Sequence, residues 1–134
     1  GGKGGPCGAA VVKNSEILSM ASNEVLVSND PTAHAEIVAI RRACQKLHTY
    51  DLSGCTLYST GEPCPMCLSA IVWANIKKVY YACPASDAAK IGFRDSMIYS
   101  HIRGEEQVLE IEKLDCEAAS LLYEEYQTMG SVIY

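Results

Sequence analysis

Apolar and polar positions regroup along the 134 residues in a way that lays out strands and helices in turn. Ala9–Lys13 and Glu16–Met20 are short apolar-rich runs on either side of Asn14-Ser15, which predicts a β-hairpin. Ser22–Thr32 is polar and holds Asp30-Pro31, so it predicts a loop leading to a helix start. From Ala33 to His48 the period becomes helical. Ile37, Ile40, Ala43, Cys44 and Leu47 share one face, while Arg41, Arg42, Gln45 and Lys46 populate the other. Cys55–Thr60 is β-branched and aromatic, a strand. Pro65 suits the first turn of a second helix, Met66–Asn75, because the N–H it lacks would have no intrahelical partner there. Lys77–Cys83 predicts another strand, closed by Pro84. Ser86–Ile102 predicts a helix interrupted at Gly92, Val108–Lys113 a last strand and Cys116–Met129 a last helix. Strand pairs alternating with helices define an α/β layer sandwich in a single domain, 1–134, without repeats or linkers.

Composition changes this picture little. Apolar residues make up 49% and charged residues 20%, ordinary globular usage that excludes a disordered, collagen-like or coiled-coil chain. The longest apolar run, around Ala70–Ala74, is far shorter than the ~20 residues of a membrane span. No basic-then-apolar leader opens the chain, so the expected location is the cytoplasm. Five of the ten glycines fall in the first eight residues, but with no Lys-Ser/Thr ending this is not a phosphate loop. Net charge is −5, and residues 105–134 hold eight acids against Lys113 alone. An acidic chain without a basic stripe is a poor match for a phosphate backbone, so nucleic acid is not the expected partner. Seven cysteines remain to be explained, since a domain this long folds without staples.

Two short motifs supply the explanation. His34-Ala35-Glu36 opens the first long helix and Pro63-Cys64-Pro65-Met66-Cys67 opens the second. Cys64 and Cys67, at i and i+3, project from one side of a first helical turn. The positive end of the helix favours the thiolates that a soft tetrahedral ion requires. With His34 the protein ligands number three, and three ligands with an open fourth position mark a catalytic rather than a structural zinc site. Glu36 falls on the apolar face of its helix, where a carboxylate is costly unless it has a partner or a task. Beside a metal it is placed to move protons between water and a leaving group.

His-x-Glu followed by Pro-Cys-x-x-Cys is the signature of zinc nucleobase deaminases. The chain resembles the cytidine deaminase-like superfamily over nearly its full length, and within it the short bacterial guanine deaminases. The resemblance is carried by Gly4–Ala9, Ser28–Glu36, Glu62–Cys67 and Asp87–Ser96, the last being the stretch particular to the guanine branch. It implies a three-layer α/β/α sandwich around a mixed sheet of about five strands. It also implies one Zn2+ per subunit on His34, Cys64 and Cys67, with water as fourth ligand and Glu36 as proton shuttle. Asn23, Ala35, Asp95 and Tyr134 match substrate-contacting positions. Tyr134 looks like the terminal tyrosine of a segment, about 105–134, that crosses to a partner subunit, which implies a homodimer. The implied reaction is hydrolytic deamination of guanine to xanthine and ammonia.

The chain departs from the family pattern in three places. Cys7 stands where the family has a phenylalanine over the base, Gly61 stands where the guanine branch often has cysteine, and the expected N-terminal helix is lacking. Competing readings are deamination of tRNA adenosine or of another base, nucleoside or triazine, and a zinc-binding scaffold without catalysis. Cys44, Cys55, Cys83 and Cys116 are expected to be small buried hydrophobes. Trp73, opposite the Cys64/Cys67 face, is expected in core or subunit packing.

Overall fold

In the computed structural model, residues 8–86 and 95–134 are described, and the expectations for Gly4–Cys7 and for Asp87–Arg94, Gly92 included, lie outside them. The hairpin forms from β1 (Gly8–Lys13) and β2 (Glu16–Ser22), paired antiparallel. Asn14 and Ser15 both take positive φ, 50° and 66°. That pair of left-handed residues gives a two-residue turn whose twist matches the strands. Val11 pairs with Ser19 but Val12 with Ile17, so Leu18 is an extra residue that bends the hairpin.

β1 also pairs antiparallel with β3 (Thr56–Gly61), and β3 pairs in parallel with β4 (Lys78–Cys83). The sheet order is β2-β1-β3-β4. A parallel pair needs a crossover, and it includes a helix, Pro65–Trp73. In chain order the helices are α1 (Val25–Ser28), α2 (Ala35–Leu47), α3 (Pro65–Trp73), α4 (Asp95–Ile102) and α5 (Glu117–Thr128).

α2 packs across β1 and β2. Ala35, Ala39 and Ala43 are fully buried beneath it, in one apolar cluster with Val11, Leu57 and Leu52. Three alanines in one stripe let the helix approach the sheet closely, and the Ser19 hydroxyl donates to the Ala39 carbonyl at 2.7 Å across that seam. Ile40, Cys44 and Leu47 pack at the edge of the cluster. The face predicted for this helix is therefore its buried face, widened by Val38 and Ala39.

Four strands stand among the described residues, rather than about five. Val108–Lys113, read as the last strand, makes no ladder. Val108 donates its N–H to His101 Nδ1 at 3.1 Å, and Leu109 and Ile111 are exposed. Cys83 and Cys116 are also exposed rather than buried, Cys83 on the edge strand β4 and Cys116 at the N-cap of α5. No helix among the described residues is long and apolar enough to cross a membrane.

Leu57 sits on β3 between β1 and β4 and is fully buried. Leu57→Ala should lower unfolding stability by about 2–5 kcal/mol, through lost transfer energy and the cavity left behind. Urea denaturation of both proteins measures it. A loss under about 1 kcal/mol would show that this strand is not central to the core.

Candidate metal centre and active site

Two helices begin at the same place. His34 is the N-cap residue of α2 and Cys64 the N-cap residue of α3, both in extended conformation. Pro65 occupies N1 of α3, and Cys64 Sγ accepts the Cys67 N–H at 3.4 Å. Sulfur thus takes the capping role that Ser or Asp oxygen usually fills. Ile37 of α2 packs with Cys64 and Cys67, flanked by Met66 and Ala70, and fixes the two helix starts against each other.

The result is a cluster of three donor atoms, from His34, Cys64 and Cys67, all within 4.8 Å of one another. Cys64 Sγ lies 3.5 Å from His34 Nδ1. Tetrahedral zinc with bonds of about 2.3 Å to sulfur and 2.0–2.1 Å to nitrogen would set that separation at about 3.6 Å. The donor set, two sulfurs and one imidazole, is also the set that zinc prefers. The residues present fit the ion.

Charge in the cluster is unevenly shared. The Cys64 thiol is pulled well below its ordinary range, chiefly by hydrogen bonding from Cys67, with His34 contributing. Cys67 is pushed up, by the neighbouring Cys64 sulfur first and by burial second. His34 is raised, mainly through its hydrogen bond to Cys64. The two thiols are thus shifted in opposite directions, and a divalent cation would favour the deprotonated form of both.

Glu36, at 6% exposure, is one of the few buried polar residues and sits in the first turn of α2. Burial raises its carboxyl above the usual range, partly offset by its own backbone N–H and by the Cys67 thiol within hydrogen-bonding reach. A carboxyl raised in this way holds its proton more readily than a free carboxylic acid does, as a proton carrier requires.

The remaining expected residues divide. Asn23 precedes α1, and its Oδ1 accepts the Val25 N–H at 2.9 Å. Among the described residues its Nδ2 has no acceptor. Ala35 is fully buried at the first position of α2, next to His34. Asp95 opens α4 and is partly buried. Burial raises its carboxyl, with the Cys64 charge adding to the shift, so it belongs to the site's electrostatic surroundings. Tyr134 is not at the cluster within its own chain. Its ring packs on Trp73 at 6.0 Å and near Tyr50 at 6.4 Å. Trp73 ends α3, about 13 Å along the axis from Cys64.

Two neighbours were given no role by the sequence reading. Tyr99 follows Asp95 by four residues, and its phenol is raised by burial with contributions from Glu62, Asp95 and Cys64. Glu62, just before the Pro63-Cys64 loop, accepts the Ala85 N–H at 2.9 Å. The i, i+4 spacing from Asp95 was the available signal for Tyr99.

Comparison with known proteins agrees with the geometry. The profile of the cytidine and deoxycytidylate deaminase zinc-binding region matches residues 2–83. The chain belongs to that family. It is 55% identical over 101 residues to guanine deaminase of Bacillus subtilis, covering 75% of this chain and 65% of that protein. It is 52% identical over 77 residues to the tRNA-specific adenosine deaminase of Aquifex aeolicus, covering 58% of this chain and 51% of that protein. The matches thus span between half and two thirds of these relatives' lengths. The crystal structure of the Bacillus subtilis guanine deaminase superposes with a TM-score of 0.90 at 45% identity, over 95% of this chain and 82% of that one. A guanine deaminase structure from Nitrosomonas europaea gives 0.65 at 32% identity, over 75% and 63%.

The raised Glu36 carboxyl has a consequence for stability. Its pKa is higher folded than unfolded, so the stability it contributes is present at low pH and is lost as pH rises through the folded value. Glu36→Gln removes that loss. In chelator-treated protein the variant should melt higher than wild type at neutral pH and equally near pH 4. A variant that melts lower at neutral pH would contradict the assignment of burial as the cause.

Proposed function

We propose that the chain is a zinc-dependent hydrolytic deaminase acting on guanine, and that it works as a homodimer in a reducing cytoplasm. The observation that carries the reading is a buried, raised carboxyl, Glu36, beside an open three-donor metal cluster at two converging helix starts. Family membership supports the reaction class, and similarity to the Bacillus subtilis guanine deaminase supports the substrate. The free cysteines among the described residues suit the reducing compartment.

When bound, zinc supplies Lewis acidity and brings the pKa of water at its open position to about 7. His34, Cys64 and Cys67 hold it, and the helix ends favour their thiolates. Glu36 takes a proton from the attacking water and delivers it to the ring nitrogen. It then passes the second proton to the departing amine at C2. Guanine and water become xanthine and ammonia. Asn23 and the backbone at Ala35 hydrogen-bond the base, and Asp95 takes its N–H edge. Buried hydrogen bonds of this kind discriminate bases better than pocket size does.

The C-terminal segment is proposed to cross between subunits, bringing Tyr134 to the partner's site. Support comes from α5, which has no buried residue, and from the exposed Leu121, Leu122 and Tyr123 upon it. An apolar groove of about 680 Å³, lined by Trp73, Leu122, Tyr126 and Ile133 among others, runs beside the segment's end.

Ammonia release from guanine, guanosine, cytosine, cytidine, adenine, ammeline and tRNA tests the reading. Zinc-loaded protein should act on guanine. Activity confined to tRNA would replace the substrate, and silence across the panel with zinc bound would favour a scaffold. Glu36→Ala should keep one zinc per chain and lose turnover by ~10²–10⁴-fold. Turnover retained in that variant would remove Glu36 from the mechanism.

A further inference from the structure

The polar face of α2 carries two adjacent arginines, and the proposed chemistry uses neither. Both turn back onto the loop that leads from β2 to His34. Arg42 Nη1 donates to the Met20 carbonyl at 3.0 Å, and its Nη2 donates to Glu24 Oε2 at 2.7 Å. One guanidinium therefore holds the chain on both sides of Asn23. Arg41 reaches the far end of the loop, 3.5 Å from Asp30 Oδ2 and 3.5 Å from Thr32 Oγ1.

Little else fixes that loop. No residue from Ser22 to Thr32 is buried, and α1 within it leaves Leu26 and Val27 exposed. A segment without buried apolar surface opens at low cost, so polar anchors decide its position. The loop closes on itself where the Glu24 N–H donates to the Ala33 carbonyl at 2.9 Å, one residue before His34. The next N–H along the chain, that of Val25, holds the Asn23 amide oxygen at 2.9 Å. Glu24 is thus the junction of Asn23, the His34 end of the loop and α2. The helix is a firm support, because its Ala39 and Ala43 are fully buried.

An exposed ion pair usually contributes little. Lys46–Glu16, on the same helix, fits that description at 3.8 Å with side chains 51% and 69% exposed. Arg42–Glu24 is shorter, the Glu24 side chain is only 29% exposed, and the second guanidinium nitrogen engages a backbone carbonyl.

We propose that Arg42 is a positioning residue: through Glu24 and the Met20 carbonyl it sets where Asn23 stands relative to the metal ligands. The role of Asn23 toward the base rests on the substrate reading above, whereas the anchoring of the loop does not.

The test compares Arg42→Met, Glu24→Ala, the double variant and Lys46→Met in the zinc-loaded full chain. Met keeps the apolar stem of Arg without its donors. The Glu24 side chain makes no capping bond at α1, so Ala there removes the ion pair without uncapping the helix. Zinc content, hydrogen exchange of the amides from 23 to 33, and KM and kcat for guanine are measured. Arg42→Met should retain one zinc per chain and speed loop exchange by about fivefold. It should raise KM by about fivefold with kcat within about twofold. Glu24→Ala should move the same readouts in the same direction. The double variant should add less than about twofold to Arg42→Met, since both act through one contact. Lys46→Met should stay within about twofold of wild type throughout. Unchanged loop exchange in Arg42→Met would overturn the proposal. So would multiplied losses in the double variant, equal damage from Lys46→Met, or a fall in kcat with KM unchanged. Should Arg42→Met fail to fold, Glu24→Ala decides by the same readouts. Asn23→Ala with unchanged KM, or wild type inactive on guanine, would defeat the substrate reading alone, and loop exchange would still decide on Arg42.

Discussion

The site depends on two helix starts being held at one point. His34 and Cys64 are the N-cap residues of α2 and α3, so the partial positive ends of both helices are directed at one small volume. Two such ends repel each other unless something negative lies between them. The chain supplies two sulfurs and the Glu36 carboxylate, and Ile37 packed on Cys64 and Cys67 keeps the helices in place. The ligand geometry therefore follows from helix capping and local packing together. Cys64 serves both, as cap for the Cys67 N–H and as metal donor.

The sheet makes that arrangement rigid. β3 and β4 are parallel, so α3 must follow β3 directly and begin at its carboxyl end. α2 lies over β1 and β2 along an alanine stripe. Both helix starts thus inherit their positions from a core in which Val11, Leu52 and Leu57 are fully buried. Around this rigid part the structure becomes progressively less packed. α4 and α5 contain no buried residue, and they carry Asp95 and lead to Tyr134, the residues assigned to substrate and partner.

Much of the rigid part could be read from residue order. Asn14-Ser15 announces its turn because two left-handed residues in succession suit few other settings. The α2 face shows in its period, and Pro65 marks the start of α3 because the fixed φ and missing N–H fit only a first turn. Both metal motifs are local in sequence, so their members were legible without the fold. Pairings that depend on distant partners were not. Val108–Lys113 alternates as a strand does, but alternation says nothing about an available edge, and its Val108 N–H bonds His101 instead. Cys83 follows an apolar run yet lies on an edge strand, and Cys116, between Asp115 and Glu117, lies at a helix cap, where burial is set by what packs alongside. Glu62 reads as part of a motif, while its bond to Ala85 is formed 23 residues away.

Membership of the cytidine and deoxycytidylate deaminase zinc-binding family and the converging helix starts support one central proposal: His34, Cys64 and Cys67 would hold a zinc ion and leave it a position for the chemistry proposed above. Absorption spectroscopy of the cobalt(II)-substituted protein tests it most directly. The account predicts intense tetrahedral d–d bands with thiolate-to-metal charge transfer from two sulfurs, and a shift of the d–d bands when 8-azaguanine is added. Weak octahedral bands, or a tetrahedral spectrum that 8-azaguanine leaves unchanged, would contradict it.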